Sequence, residues 1–111
     1  MATVTITSSD VTLGLSSFER IGGLLRDLSV PRNAVVSATA VENGFKALRG
    51  LRAPGLGLPW VRAIGTWRGK GYKDWVSVQK GPALVLELRD QKFARAIVSN
   101  ADAARLAAEL S

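Results

Sequence analysis

VRAIGTWRGKGYKDWVSVQKGPALVLELRD, residues 61–90, holds three runs of strand character separated by two clusters of turn residues. VRAIGTWRG (61–69) reads as a strand, GKG (69–71) as a tight turn, and YKDWVSVQK (72–80) as the returning arm of a hairpin. GP (81–82) turns the chain again. ALVLELRD (83–90) then places Leu84, Leu86 and Leu88 on one side and Glu87 and Arg89 on the other, the period-2 alternation of a half-buried strand. Turns this short predict antiparallel pairing of each strand with its sequence neighbour. This stretch therefore sets the expectation of a mainly β domain.

Working outward, FARAIVS (93–99) closes the sheet. NADAARLAAEL (100–110) is a helix: Asn100 or Ser99 caps it, Asp102 complements the positive end of its dipole, and Ala103, Leu106, Ala107 and Leu110 form one apolar stripe. Towards the N-terminus, ATVTIT (2–7) and VTLGL (11–15) alternate as the arms of an opening hairpin. SSFERIGGLL (16–25) breaks that pattern: a serine leads, and Phe18, Ile21, Leu24 and Leu25 follow at helical spacing, predicting one extra short helix after strand 2. Val30-Pro31 forces an extended approach into a third strand over 33–42. The segment from there to Pro59 is rich in Gly and Pro and reads as a long loop. The expected fold is a single domain over residues 1–111: seven antiparallel strands in a bent sandwich or partly open barrel, with the helix stripe buried against its open end.

Composition narrows the function. The 111 residues contain no cysteine and no histidine. That removes disulfides, thiolate nucleophiles, the commonest general base and the commonest metal ligand. MATVTITSSD has neither a basic nor an apolar leader region, and no apolar run nears the roughly 18 residues of a membrane span. A soluble cytoplasmic protein is expected. Glu87 and Asp90 lie three apart on one strand and so face opposite sides, and Asp74 has no acid near it in sequence, so no general acid–base pair is visible. Ser16 and Ser17 have no histidine to activate them. RGKG (68–71) lies between two strands and lacks the strand–loop–helix context of a phosphate loop. The chain reads as non-enzymatic, with no cofactor.

Charge supplies the one asymmetry. Lys46, Arg49, Arg52, Arg62, Arg68, Lys70 and Lys73 lie between Glu42 and Asp74 with no acid among them, whereas the rest of the chain holds eight bases and nine acids. Either these side chains simply solvate a loop, or they form a face for a polyanion, an anionic membrane or an acidic partner. Trp60, Trp67, Trp75 and Tyr72 sit among them. Aromatic–basic interleaving suits single-stranded nucleic acid, but Trp67 and Trp75 also stand near facing positions across the 69–71 turn, where a cross-strand pair would stabilise the hairpin. The candidate interaction face is Arg49, Arg52, Trp60, Arg68, Lys70 and Lys73: the five cations are expected in solvent, although Arg52 could instead bond loop carbonyls around Pro54-Gly55, and partial exposure of Trp60 beside Pro59 would mark a partner surface.

LSSFERIGGLL, SVPRNAVVSATAVE, LRGLRAPGLGLPWVRAIGTWRGKGYKDWVSVQKGPALVLELRD and ARAIVSNADAARLAAEL together resemble a set of small bacterial, mainly actinobacterial, PH-like domain proteins without an assigned function. The likeness runs from Leu15 to Leu110 and is most specific at Arg52-Ala53-Pro54-Gly55 and Gly65-Thr66. It implies seven strands closed by a helix. The first hairpin has no Lys or Arg, unlike phosphoinositide-binding pleckstrin domains. The reading that follows is a PH-like binding module for a protein partner or for self-association, through a basic loop and hairpin at 46–73. Peripheral binding to anionic lipid headgroups is the alternative, then weak nucleic-acid binding.

Overall fold

Alternating and β-branched sequence puts most of the described residues into strands. The computed structural model describes residues 3–15, 26–49, 51–58 and 62–110. In chain order these form β1 (Thr3–Ile6), β2 (Asp10–Gly14), β3 (Leu28–Pro31), a 3-10 turn at Arg32–Ala34, β4 (Val35–Val41) and a second 3-10 turn at Gly44–Ala47. There follow β5 (Leu51–Leu58), β6 (Arg62–Gly69), β7 (Tyr72–Gln79), β8 (Ala83–Leu88), β9 (Arg95–Ser99) and helix α1 (Ala103–Leu110). One sheet has the order β1-β2-β3 and the other β4-β8-β9-β7-β6-β5. β4 and β5 remain open edges, so the larger sheet is not a closed barrel. The helix expected over 16–25 lies outside the described residues.

Three expectations are corrected. The first concerns the segment up to Pro59, which is not one long loop: residues 51–58 are β5, paired antiparallel with β6. Pro54 has no N–H to donate and two glycines follow it, which is why the sequence reads as loop. The pairing survives because β5 is an edge strand and its register shifts between Arg52 and Gly55, a bulge that sets Pro54 out of the ladder. β3, four residues ending in proline, was likewise too short to read as a strand.

The second correction is topological. β7 and β8 are joined by a short turn but do not pair; β9 lies between them, antiparallel to β8 and parallel to β7. Two strand spacings are only about 10 Å, which three connecting residues span. Packing accounts for the choice. Trp75, Val76, Ser77 and Val78 of β7 are all buried, and so are Ala96 to Ser99 of β9. Strands apolar on both faces belong at the centre of a sheet covered on both sides.

The third correction follows from register. Trp75 faces Thr66 and Trp67 faces Asp74, so the two tryptophans point to opposite sides of the sheet. Trp75 joins Val11, Leu13, Val30, Leu84, Leu86, Phe93 and the helix residues Ala103, Leu106 and Ala107 in the main core. Trp67 joins Ala63, Val76, Val78, Val85 and Ile97 on the other side, where Phe45, Ala47 and Leu48 pack over them. The small sheet and α1 thus cover one face of the large sheet, and the 44–49 segment covers part of the other.

Hydrogen bonds tie these layers together. Trp75 Nε1 donates to the Arg26 carbonyl at 2.9 Å, and Asp27 Oδ1 accepts from the Leu15 amide at 2.8 Å. Arg32 donates to the Glu109 carbonyl at 2.8 Å and to the Thr7 carbonyl at 3.2 Å. It thereby satisfies an orphan carbonyl in the last turn of α1, where a cation also complements the dipole. Asn100 Oδ1 accepts from the Asp102 amide at 2.8 Å at the helix start, whereas Ser99 stays in β9 and bonds Gln79 through its hydroxyl.

The helix stripe is buried as its spacing requires: Ala103, Leu106 and Ala107 are buried, and Leu110 packs against them. Leu106→Ala should cost about 2–5 kcal/mol, the usual range for a large-to-small change in a core. Leu106→Asp should unfold or aggregate the protein, because it forces an unpaired charge into that core. Denaturant melts check both, and a Leu106→Asp variant with an unchanged midpoint would mean that the helix does not hold the main core closed.

Candidate anion-binding site

The basic segment is organised by an acid one residue beyond its end. Asp74 is fully buried, and a carboxylate there must be paired and hydrogen-bonded. Arg49 does both: Nε donates to Oδ2 at 2.8 Å and Nη2 to Oδ1 at 3.0 Å. This is the planar two-bond fork that arginine makes and lysine does not. Tyr72 precedes Asp74 by two residues on the same strand and so shares its side of the sheet, and the Arg49 guanidinium lies 4.0 Å from the Tyr72 ring centre. The bond to Asp74, above all, raises the Arg49 pKa from its ordinary value. A raised basic pKa means that the Arg49 charge contributes fully at neutral pH, and its contribution is lost as pH rises into strong alkali.

Arg49 is therefore not a free cation of the interaction face, contrary to the expectation from sequence. It latches the 44–49 segment onto the second face of the large sheet. It also fixes Tyr72, whose ring lies so close over Gly69 that any Cβ at that position would overlap it. Between them, Lys70 and Gly71 form the tip of the β6–β7 hairpin. Gly71 has φ of +83°, a value glycine adopts without strain.

Around this tip the remaining cations gather. A depression of about 390 Å³ is lined by Arg68, Gly69, Gly71, Tyr72, Lys73 and Lys92. Its lining holds three basic side chains and no carboxylate. Arg68 and Lys73 are direct cross-strand partners, a like-charge pairing that costs stability. Lys92 arrives from the β8–β9 turn. It is brought beside Lys73 because β7 and β9 run parallel and start at the same end of the sheet, with the Ala94 amide donating to the Lys73 carbonyl at 2.7 Å. The ammonium groups of Lys73 and Lys92 each lie 5.7 Å from the centre of the Phe93 ring. Asp90 turns the chain here in a left-handed conformation, φ 57°, which Asp tolerates better than most residues.

Of the six residues expected to form the face, the structure brings Arg68 and Lys73 together and leaves Lys70 exposed at the adjoining tip. Arg52 belongs to β5, opposite Trp67 in register; its side chain, like Trp60 altogether, lies outside the described residues. Lys92 was missed in the sequence. Its signal was the QK turn before β9, but its proximity to Lys73 depends on the parallel pairing. Among the described residues, no group of His, Cys, Asp and Glu could hold a metal ion, and no helix is long and apolar enough to cross a membrane.

The ion pair yields an asymmetric prediction. Arg49→Gln leaves Asp74 buried without its counter-charge and should cost about 3 kcal/mol. Asp74→Asn leaves a guanidinium that already reaches solvent, with a side chain 38% exposed, and should cost clearly less. Chemical denaturation of the two variants tests this; equal losses would mean that the carboxylate is solvated rather than held by Arg49.

No protein-family model matches this chain, no curated protein matches its sequence, and no solved structure matches its fold.

Proposed function

We propose that this chain is a non-catalytic PH-like binding module of the cytoplasm, which captures an acidic segment of a partner protein at the tip of its β6–β7 hairpin. The observation that carries the reading is the depression lined by Arg68, Lys73 and Lys92 with no carboxylate among its lining residues. Like charges held this close repel one another, and an anion between them removes the repulsion. The PH-like assignment draws on the mainly β architecture and the helix that follows the last strand; the parallel β7–β9 pair is a departure from an all-antiparallel sheet.

Two features favour a different protein over a second copy. Both open edges of the large sheet, β4 and β5, carry a register shift, and bulged edges resist strand-to-strand addition. Two copies of a basic face also repel. A protein partner is favoured over a membrane surface because the tip itself, Lys70-Gly71, has no apolar side chain to enter the bilayer.

The test compares the protein with the triple variant Arg68→Gln, Lys73→Gln, Lys92→Gln on immobilised polyglutamate and on phosphatidylserine vesicles. The native chain should be held by polyglutamate at low salt and released near about 1 M, where the Debye length falls to about 3 Å. The triple variant should not be held, while a cooperative melt shows that it remains folded. Retention unaffected by the three changes would remove the basin as a binding face, and stronger binding to vesicles than to polyglutamate would favour lipid headgroups.

A further inference from the structure

A second site lies on the opposite side of the large sheet, where the short 44–49 segment packs over Val76, Val78, Val85 and Ile97 and leaves open a strip beside it along β4 and β8. That strip is a shelf of about 330 Å³. Val85 forms its floor, Val41 and Ala47 its apolar wall, and Ser37, Thr39, Glu87 and Arg95 its polar end.

The polar end is a row across four strands. Ser37 faces Glu87, Glu87 faces Arg95, and Arg95 faces Asp74. Both carboxylates that flank Arg95 are engaged elsewhere: Asp74 gives its two oxygens to Arg49, and Glu87 Oε2 accepts from the Ser37 hydroxyl at 3.2 Å. Among the described residues no ion pair joins Glu87 to Arg95, and Arg95 Nε is buried without a hydrogen-bond partner. Buried polar atoms are nearly always satisfied, and an exception calls for a ligand or another explanation. Arg49 uses the same edge of its guanidinium, Nε with one Nη, to grip Asp74. Arg95 presents that edge to no carboxylate.

We infer that this shelf binds a small aliphatic α-amino acid in its zwitterionic form, with the carboxylate on Arg95, the ammonium on Glu87 and the side chain over Val85. Glu87 has spare acceptor capacity for an ammonium, since an ionised carboxylate offers about four lone-pair sites. The spacing selects a zwitterion over a longer dipolar chain. Glu87 and Arg95 are directly opposed on antiparallel strands, so their Cα atoms lie about 5 Å apart and both side chains stand on one face. Adjacent opposite charges of that kind match a carboxylate and an ammonium on one carbon. A simple carboxylate would meet repulsion from Glu87, and a simple amine would meet it from Arg95. The volume lies at the small end of the range for ligand sites. The site is separate from the hairpin-tip basin and does not depend on its reading.

Isothermal titration calorimetry with L-leucine tests the inference, with 4-methylpentanoate and 3-methylbutylamine as probes that each lack one of the two charges. L-leucine should bind saturably with a Kd of about 1 mM or tighter, and each single-charge probe should bind at least about tenfold more weakly. Arg95→Gln and Glu87→Gln should each weaken L-leucine at least about tenfold, an effect that the hairpin-tip triple variant does not share. Glu87 is exposed, so its variant keeps the test open even where Arg95→Gln fails to fold. No saturable heat with L-leucine up to about 10 mM, or binding of 4-methylpentanoate as tight as that of L-leucine, would overturn the proposal. So would L-leucine affinity unchanged by Glu87→Gln.

Discussion

The bidentate bond between Arg49 and Asp74 organises one whole side of this molecule. A carboxylate with no solvent exposure in the middle of a sheet would be intolerable alone. Its partner comes from outside the sheet, at the end of the segment that brings Phe45, Ala47 and Leu48 over Val76, Val78, Val85 and Ile97. The pair therefore sets where the second hydrophobic layer is covered. It also sets where it is not, because a segment this short reaches only part of a six-stranded face. The same guanidinium braces Tyr72 against the hairpin tip. One ion pair thus links the second core, the wall of the basic depression and the boundary of the open shelf.

The insertion of β9 between β7 and β8 has an equally direct effect on charge. A simple meander would leave Lys92 one strand further from Lys73. Parallel pairing places the starts of β7 and β9 side by side, so that two turns distant in sequence deliver cations to one spot. The directly opposed Arg68 and Lys73 of the β6–β7 hairpin add a like-charge pair at the same spot. Arg32, Arg49 and Arg89 lie elsewhere and bond carbonyls or a carboxylate of the chain, so the basic residues divide by place into those that tie its layers together and those gathered at the tip.

That division was only partly legible in the sequence. Strict alternation announced β8 and the face on which Leu84, Leu86 and Leu88 lie, and the i, i+3, i+4 stripe announced α1, because both patterns report burial against a single surface. Alternation fails where both faces are buried, so β7 and β9 could be seen as strands but not placed side by side. β5 was hidden because local turn chemistry spoke for Pro54 and the glycines, while the pairing that overrides it comes from β6, several residues away. The site shows the same limit. The excess of basic residues was plain, but which of them were already engaged depended on Asp74, one residue past the window, and on a bond that no local pattern reveals. Trp67 and Trp75, neighbours across a turn in sequence, were separated by a single step of register that sent them to opposite cores.

Rigidity is what distinguishes the hairpin tip from an ordinary basic loop. Arg68 and Lys73 stand in paired strands, Lys92 in a turn whose end is hydrogen-bonded to β7, and Tyr72 between Gly69 and the Arg49 guanidinium. Cations on a flexible loop lose side-chain and backbone entropy when they close on an anion, and much of the electrostatic gain is spent in ordering them. Here the backbone that carries them is already fixed by the sheet, so binding has little left to order. Repulsion among the three cations is stored in the folded state, and an anion bound there would relieve it. The fold holds them in place through the buried cores on either side of β7, which gives the tip its charge without depending on the tip for its stability.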